Sequence, residues 1–434
     1  MHLSRRKVDF WLHVGLFGLY LGTLSVFGMA RRLDSSVGNA ALFGLLVLTA
    51  VLLAYTALRT RRVPLFGLVL LGLLPYLHYL VFLVTGSSTD GAYIYLYKFS
   101  GFLLAPFLWL WARTHDDGQV GRVLTLLALI TALRALLAFA LPGLHPGAGG
   151  THAAAFADDF GIYERIGGLA RVFYPGIALI FLGLLMALEN LLSGRSRWVW
   201  PEVGKILLFV AALLVTLSRG TVIFAALLIT LYVLVRLLQV RAAGWRLARL
   251  AVGGLIAINA LALAFSFSSL GASLDTSLTG LEHSDRLSLD RHNIDWRERQ
   301  VNLAFTLVDT EEERLFGVGT HTLIPSNPDL LTGSTNDLHY SYHSILWTFG
   351  YLGLALLVVF GIVQPLLSAV WARGRWVLPF AFTTLFIALV GAYTIVFTSP
   401  DWNFMLGLCA AYLNARAWGF QRASFPRSPE LQLT

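Results

Sequence analysis

Two histidines, His339 and His343, stand one helical turn apart in DLHYSYHSILWTFGYLG, residues 337–353. An acidic loop ends there and an apolar run begins that continues to about Trp371. A neutral imidazole titrates near neutral pH and can take a proton from a hydroxyl. Cations recur at comparable boundaries. Lys98 lies in YIYLYKFSGFLLAPF, Arg219 in LLVTLSRGTVIFAALL, and Arg165 and Arg171 in ERIGGLARVFYPG. Arg134 sits inside an apolar run. A cation cluster at an interface suits a phosphate-bearing ligand, because arginine offers bidentate forks. A base beside it suits group transfer with a phosphate leaving group. Structural roles stay open for the same residues. Lys98 could snorkel to headgroups, Arg219 could cap helix carbonyls, and Arg134 could form an ion pair. The histidines could simply hydrogen-bond to the loop.

The elements that must position these residues are transmembrane helices. Of 434 residues, 57% are hydrophobic and 13% charged, against about a quarter charged in soluble domains. Twelve apolar stretches approach the ~20 residues that cross a bilayer core. Their limits are 10–30, 38–57, 63–84, 94–112, 123–141, 172–192, 203–217, 221–240, 249–267, 343–370, 377–398 and 402–419. The first is long enough to span, so no cleavable signal is evident. With a cytoplasmic N-terminus, most of the 32 Lys and Arg fall on inner segments, as the positive-inside rule requires. Both termini are then cytoplasmic. The single Cys409 rules out an intrachain disulfide and a cysteine metal cluster.

The expected fold is an all-α polytopic membrane protein with about twelve spans. It divides into spans one to nine (1–267), a large outer loop (268–342), and spans ten to twelve with a tail (343–434). The loop carries twelve Asp and Glu against five Arg. A loop this long is usually functional or disordered. Its stretch IDWRERQVNLAFTLV has helical periodicity, and GVGTHTLIPSNPD reads as turns. An ordered cap on the outer face follows.

The run from His339 resembles the signature of the O-antigen ligase and polysaccharide polymerase superfamily. That signature is a His, usually followed by Asn, Ser or Gln, then nine residues, Gly, two residues, and Gly, Thr or Tyr. Here His339 and Tyr340 are followed by nine residues and by Gly350, Tyr351, Leu352 and Gly353. The spacing fits from His339 and not from His343, and Tyr340 departs from the usual residue. VTLSRGTVI resembles the family's serine–arginine turn, which points to Arg219. DWRERQVNLAF followed by LFGVG resembles the stretch before its Gly-x-Gly turn. Arg297 is the best match there, Arg299 and Arg291 are alternatives, and Gly317 and Gly319 form the turn. ERIGGLARVFYPG resembles the entrance to the sixth span, with Arg165 or Arg171 as its arginine. Lys98 matches a lysine near the start of the fourth.

The resemblance implies an undecaprenyl-pyrophosphate-linked glycan donor at the periplasmic face of the bacterial inner membrane. Arg219 and Arg297, with Lys98 and Arg171, would hold the pyrophosphate and stabilise its developing charge. His339 would take the proton of the acceptor hydroxyl, and His343 would orient the acceptor. Single displacement would invert the anomeric carbon. No Asp-x-Asp pair occurs in the outer loops, so no metal or other cofactor is expected. The acceptor is another lipid-linked glycan in a polymerase, which the WRERQ stretch favours, or lipid A–core in a ligase. A chain-length regulator is a candidate partner, and nucleic acid is not. A transporter would show matched halves and helices broken at the midplane, and no such match is seen.

Overall fold

The structure is a computed structural model. It describes residues 11, 15–18, 20, 35–85, 92–140, 163–166, 169–172, 176–194, 198–215, 219–239, 291–320, 322, 324, 338, 340–394, 396–397 and 399–424. The expected span 249–267 lies outside the described residues, as does most of 10–30.

Helices α1 (Ser35–Thr60) and α2 (Phe66–Thr85) fall where the second and third spans were expected. The fourth is three pieces rather than one helix: α3 (Ala92–Lys98), α4 (Ser100–Leu103) and α5 (Ala105–Thr114). Pro106 offers no N–H to the turn before it, and the chain breaks just ahead of it at Leu104. Next come α6 (Asp117–Ala140), α7 (Ile177–Leu192), α8 (Val199–Leu214) and α9 (Arg219–Gln239). The long loop contributes α10 (Arg291–Phe305) and α11 (Glu311–Phe316). Helix α12 (Ser341–Leu356) passes through a π-helical stretch, Leu357–Val363, into α13 (Gln364–Trp371). Helices α14 (Val377–Tyr393) and α15 (Pro400–Ser424) follow.

Five stretches among the described residues are long and apolar enough to cross a membrane: Phe43–Thr60, Phe66–Thr85, Asp117–Leu137, Thr221–Gln239 and Ser341–Trp371. The protein is thus a largely helical chain with several membrane-spanning candidates.

The all-α expectation needs one amendment. Strands β1 (Tyr163–Ile166) and β2 (Leu169–Val172) form an antiparallel hairpin packed against α6. The helix at the sixth expected span therefore starts at Ile177 and not at 172. Gly176, at φ 102°, turns the chain into that helix.

Helix α15 is the bundle's axis. From Asp401 to Ala415 it is buried all round, with α5, α13 and α14 around it. A helix apolar on every side belongs in such a core. Its polar exceptions, Asp401, Asn403 and Asn414, all hydrogen-bond. It crosses α4 at backbone contact. A Cβ on Gly101 would lie 2.4 Å from the Phe404 nitrogen. Across the same crossing, a Cβ on Gly407 would lie 3.1 Å from the Gly101 oxygen. Small residues permit this approach, which replaces the missing hydrophobic drive between helices in lipid.

Charges close off one end of the bundle. Asp117 accepts from Tyr412 Oη at 2.8 Å, Arg416 Nη2 at 2.7 Å and the Arg375 N–H at 2.7 Å. Glu189, 1% exposed, pairs with Arg236 and accepts from Tyr232 Oη at 2.6 Å. Charges at membrane depth are tolerated when paired in this way. Helix α14 starts beside Asp117, through Trp376, and runs roughly 25 Å along its axis at ~1.5 Å per residue. The candidate site lies at its far end.

Gly101→Ala is expected to destabilise the detergent-solubilised protein by about 2 kcal/mol, the scale of overpacking a filled core. Gly44→Ala, with nothing within 4 Å of its Cβ, leaves the melting temperature within error. Thermal unfolding of both variants checks the pair; equal melting temperatures would refute the crossing.

Candidate functional site

Helix α10 turns one face to α12. Gln300 and Ala304 are fully buried on it, Val301 is half-buried, and Phe305 reaches Trp347 and His343 at ring distances of 6.3 and 6.2 Å. Arg297 shares this face one turn earlier and is half-buried. Arg299, two residues on, is turned by about 200° and is exposed. Arg291 opens the helix, and its side chain lies outside the described residues. Of the two loop arginines whose side chains are described, Arg297 is the inward one.

Arg297 meets the start of α12 and the end of α14. Its Nη1 donates to the Tyr393 carbonyl at 3.1 Å. Its guanidinium carbon lies 5.5 Å from the Tyr393 ring centre and 6.0 Å from that of Tyr340, within cation–π range. Burial pushes the Tyr340 phenol above its usual range, and Arg297 pulls the other way. His343 is exposed one turn into α12, its ring 5.7 Å from Tyr340. The structure therefore brings Arg297, Tyr340 and His343 together. His339 lies outside the described residues, and both its chain neighbours are described.

The floor beneath them is the turn between α14 and α15. Ser341 Oγ donates to the Thr394 carbonyl at 2.7 Å. It also accepts from the N–H groups of Val396 and Phe397, the second at 3.2 Å. Asn403 Nδ2 donates at 2.9 Å to both the Phe397 and the Lys98 carbonyls. Asp401 accepts the Gly176 N–H at 2.8 Å and the Ser399 hydroxyl at 2.7 Å. Four segments quoted from the sequence thus converge on one loop that was not singled out there. They carry Arg297, the start of the His339 run, Lys98 and the entrance of the sixth span. SPDWN, with Ser, Pro and Asp opening a helix, was the available signal.

A second tie joins the loop helices to α12. Gly350 interrupts that helix at φ 65°, ψ −166°. The Trp347 and Thr348 carbonyls, which would normally serve the next turn, accept instead from the N–H groups of Val318 at 2.9 Å and Gly319 at 3.2 Å. The backbones touch. A Cβ on Gly350 would lie 2.3 Å from the Leu315 oxygen, and one on Gly317, itself at φ 83°, 2.3 Å from the Thr348 carbon. Helix α11 leads into this joint with a capping box: Thr310 Oγ1 accepts the Glu313 N–H, and Glu313 accepts back. Those backbone bonds hold the Glu313 carboxyl below its usual pKa.

The remaining candidates are spread more widely. Lys98 is 5% exposed, with Nζ 4.9 Å from the Tyr95 ring. Such burial leaves little room for snorkelling to headgroups. Arg219 is the first residue of α9, and its side chain lies outside the described residues. Arg165 and Arg171 sit in the hairpin opposite Ala170 and Glu164. Arg134 is exposed on α6. Among the described residues no three His, Cys, Asp or Glu could share a metal ion.

Residues 205–358 match the family model described as O-antigen ligase. The match covers less than half of the chain and supports a likeness to the O-antigen ligase and polymerase superfamily. It takes in Arg219, Arg297, the Gly317–Gly319 turn, His339 and His343. It excludes Lys98, Arg134, Arg165, Arg171, Tyr393 and the loop that follows it. No curated protein matches the chain.

Gly350→Ala meets both a collision and a left-handed backbone. It is expected to open the joint, raising hydrogen exchange at the Val318 and Gly319 amides by about ten-fold or more. Protection equal to wild type would show that those amides are held by something else.

Proposed function

We propose that the protein is an integral membrane glycosyltransferase that moves a glycan from undecaprenyl pyrophosphate to an acceptor sugar hydroxyl. The reaction runs at the periplasmic face of the bacterial inner membrane, with both termini cytoplasmic and twelve spans in all. One observation carries the reading: Arg297 lies over the ring of Tyr340, next to His339 in the chain, with its Nε buried and without a hydrogen-bond partner among the described residues. A half-buried cation with an uncommitted donor suits an anionic ligand. The family match supports the same class of chemistry.

In this mechanism His339 takes the proton of the acceptor hydroxyl as its oxygen attacks the anomeric carbon. The carbon–oxygen bond to pyrophosphate breaks on the opposite side, and the configuration inverts. Undecaprenyl pyrophosphate leaves with increased negative charge, which Arg297 and Arg219 meet electrostatically. Lys98 and Arg171 or Arg165 add to the field around the donor. His343, on the exposed side of α12, orients the acceptor, with Arg299 and Arg134 as outlying donors along the glycan. These cations supply the charge that a metal would otherwise bring, so EDTA leaves the reaction intact.

We favour a repeat-unit polymerase, in which both substrates are undecaprenyl-linked. Transfer to lipid A–core is the second reading, favoured by the ligase description of the matching family. Purified protein incubated in EDTA with an undecaprenyl-pyrophosphate-linked repeat unit decides between them by gel and mass spectrometry. Ladders from donor alone establish the polymerase, and product only with lipid A–core establishes the ligase. His339→Ala and Arg297→Ala are each expected to lower turnover by about 100-fold or more. Intact donor binding without any product, and lipid flipping in vesicles, would replace the transferase with a transporter.

A further inference from the structure

The bracket around Arg297 does more than bury it. Guanidinium has a cationic carbon and a rim of donors, and here each is engaged differently. The carbon lies over two aromatic rings, those of Tyr393 at 5.5 Å and Tyr340 at 6.0 Å. Nη1 on the rim is spent on the Tyr393 carbonyl. Nε on the rim is buried yet has no hydrogen-bond partner among the described residues. Neither aromatic is loosely placed. Tyr393 is the last residue of α14, and Ser341 pins the adjoining loop through Thr394, Val396 and Phe397. Tyr340 is the residue before α12, in extended conformation at φ −105°, ψ 119°. It stands where the superfamily signature usually has Asn, Ser or Gln, so this chain offers a π face where a hydrogen-bonding side chain is usual.

We propose that Tyr340 and Tyr393 are positioning residues that fix the Arg297 guanidinium by two ring contacts and one hydrogen-bonded nitrogen, so that its Nε edge is presented to a phosphoryl oxygen. The identity of that oxygen, on the pyrophosphate of the donor, rests on the glycosyl-transfer reading; the bracket itself does not. A freely rotating arginine spreads its donors over many orientations. A bracketed one arrives with its fork aimed, and less freedom is lost when the anion binds. Two consequences separate this role from general packing. Ring faces matter and hydroxyls do not. In donor binding each ring acts through Arg297, although Tyr340 also meets the His343 ring at 5.7 Å.

The test uses the full chain in nanodiscs and two readouts. The first is the rate at which phenylglyoxal modifies Arg297, mapped by mass spectrometry. The second is equilibrium binding of undecaprenyl pyrophosphate. Tyr340→Leu and Tyr393→Leu are each expected to raise the modification rate and weaken binding by about ten-fold. Tyr340→Phe and Tyr393→Phe, which keep the face, are expected to hold Arg297 at its wild-type modification rate. In an Arg297→Ala background the leucine substitutions are expected to change binding by less than about two-fold, since their partner is gone. Unchanged modification in the leucine variants would overturn the proposal. So would equal losses of binding with and without Arg297, which would mark a purely structural role. Should the wild type fail to bind undecaprenyl pyrophosphate, the glycosyl-transfer reading falls, and the modification rates still decide whether the bracket exists.

Discussion

Two backbone carbonyls, those of Trp347 and Thr348, leave the ladder of α12 and accept N–H groups from the turn at Val318 and Gly319. The rest of the site depends on that exchange. A helix break in an apolar surrounding frees polar groups that must find partners inside the protein. The turn supplies them, and glycine at positions 317 and 350 lets the two backbones come close enough. The loop is thereby tied to the span through main-chain bonds. Trp347 extends the tie, packing with Ala304, Ile324 and Leu338 in a small core of its own. Helix α10 is carried along with it, and so the position of Arg297 is set by the shape of α12.

The two ends of the bundle handle charge in opposite ways. At the Asp117 end every described acidic group in the network is answered. Asp117 meets Arg416, Tyr412 and the Arg375 backbone, and Glu189 meets Arg236 and Tyr232. Such closure fastens helices and leaves little for a ligand to gain. At the Arg297 end the cation is held by a carbonyl and two rings, none of which neutralises it. Among the described residues its partners are dipoles and quadrupoles and not carboxylates, which leave its positive charge in place. Protein-wide net charge of +8 says nothing of this contrast; the arrangement does.

Much of this was legible in the sequence. Apolar runs located ten of the helical regions to within a few residues, because the period of burial and the cost of exposed backbone both act locally. The amphipathic stretch 291–305 was readable for the same reason. What was not readable depends on partners far along the chain. Gly350 sat in the middle of an apparently continuous run, and its break is intelligible only beside Gly317. VFYPG read as the opening of a span, while the hairpin before it pairs residues through a turn too short to show periodicity. The loop 394–399 carried no charge cluster to draw attention, yet Ser341, Asn403 and Asp401 all bond to it. Arg297 was chosen from its motif, and its inward aim over that of Arg299 follows from which face of α10 meets α12.

Tyr393 and the loop after it lie beyond residue 358, where the family match ends. The matched region therefore does not contain everything that shapes its own best-placed arginine. A graft of residues 205–358 into another protein that matches the same family model would bring Arg297 and leave behind the Tyr393 carbonyl and ring that it meets. Recombination among relatives would have to exchange the last two helices together with the matched region, or accept an arginine set by a foreign backdrop. What packs together as one candidate site is thus split across the chain, with its more recognisable half upstream and its supporting half at the C-terminal end of the bundle.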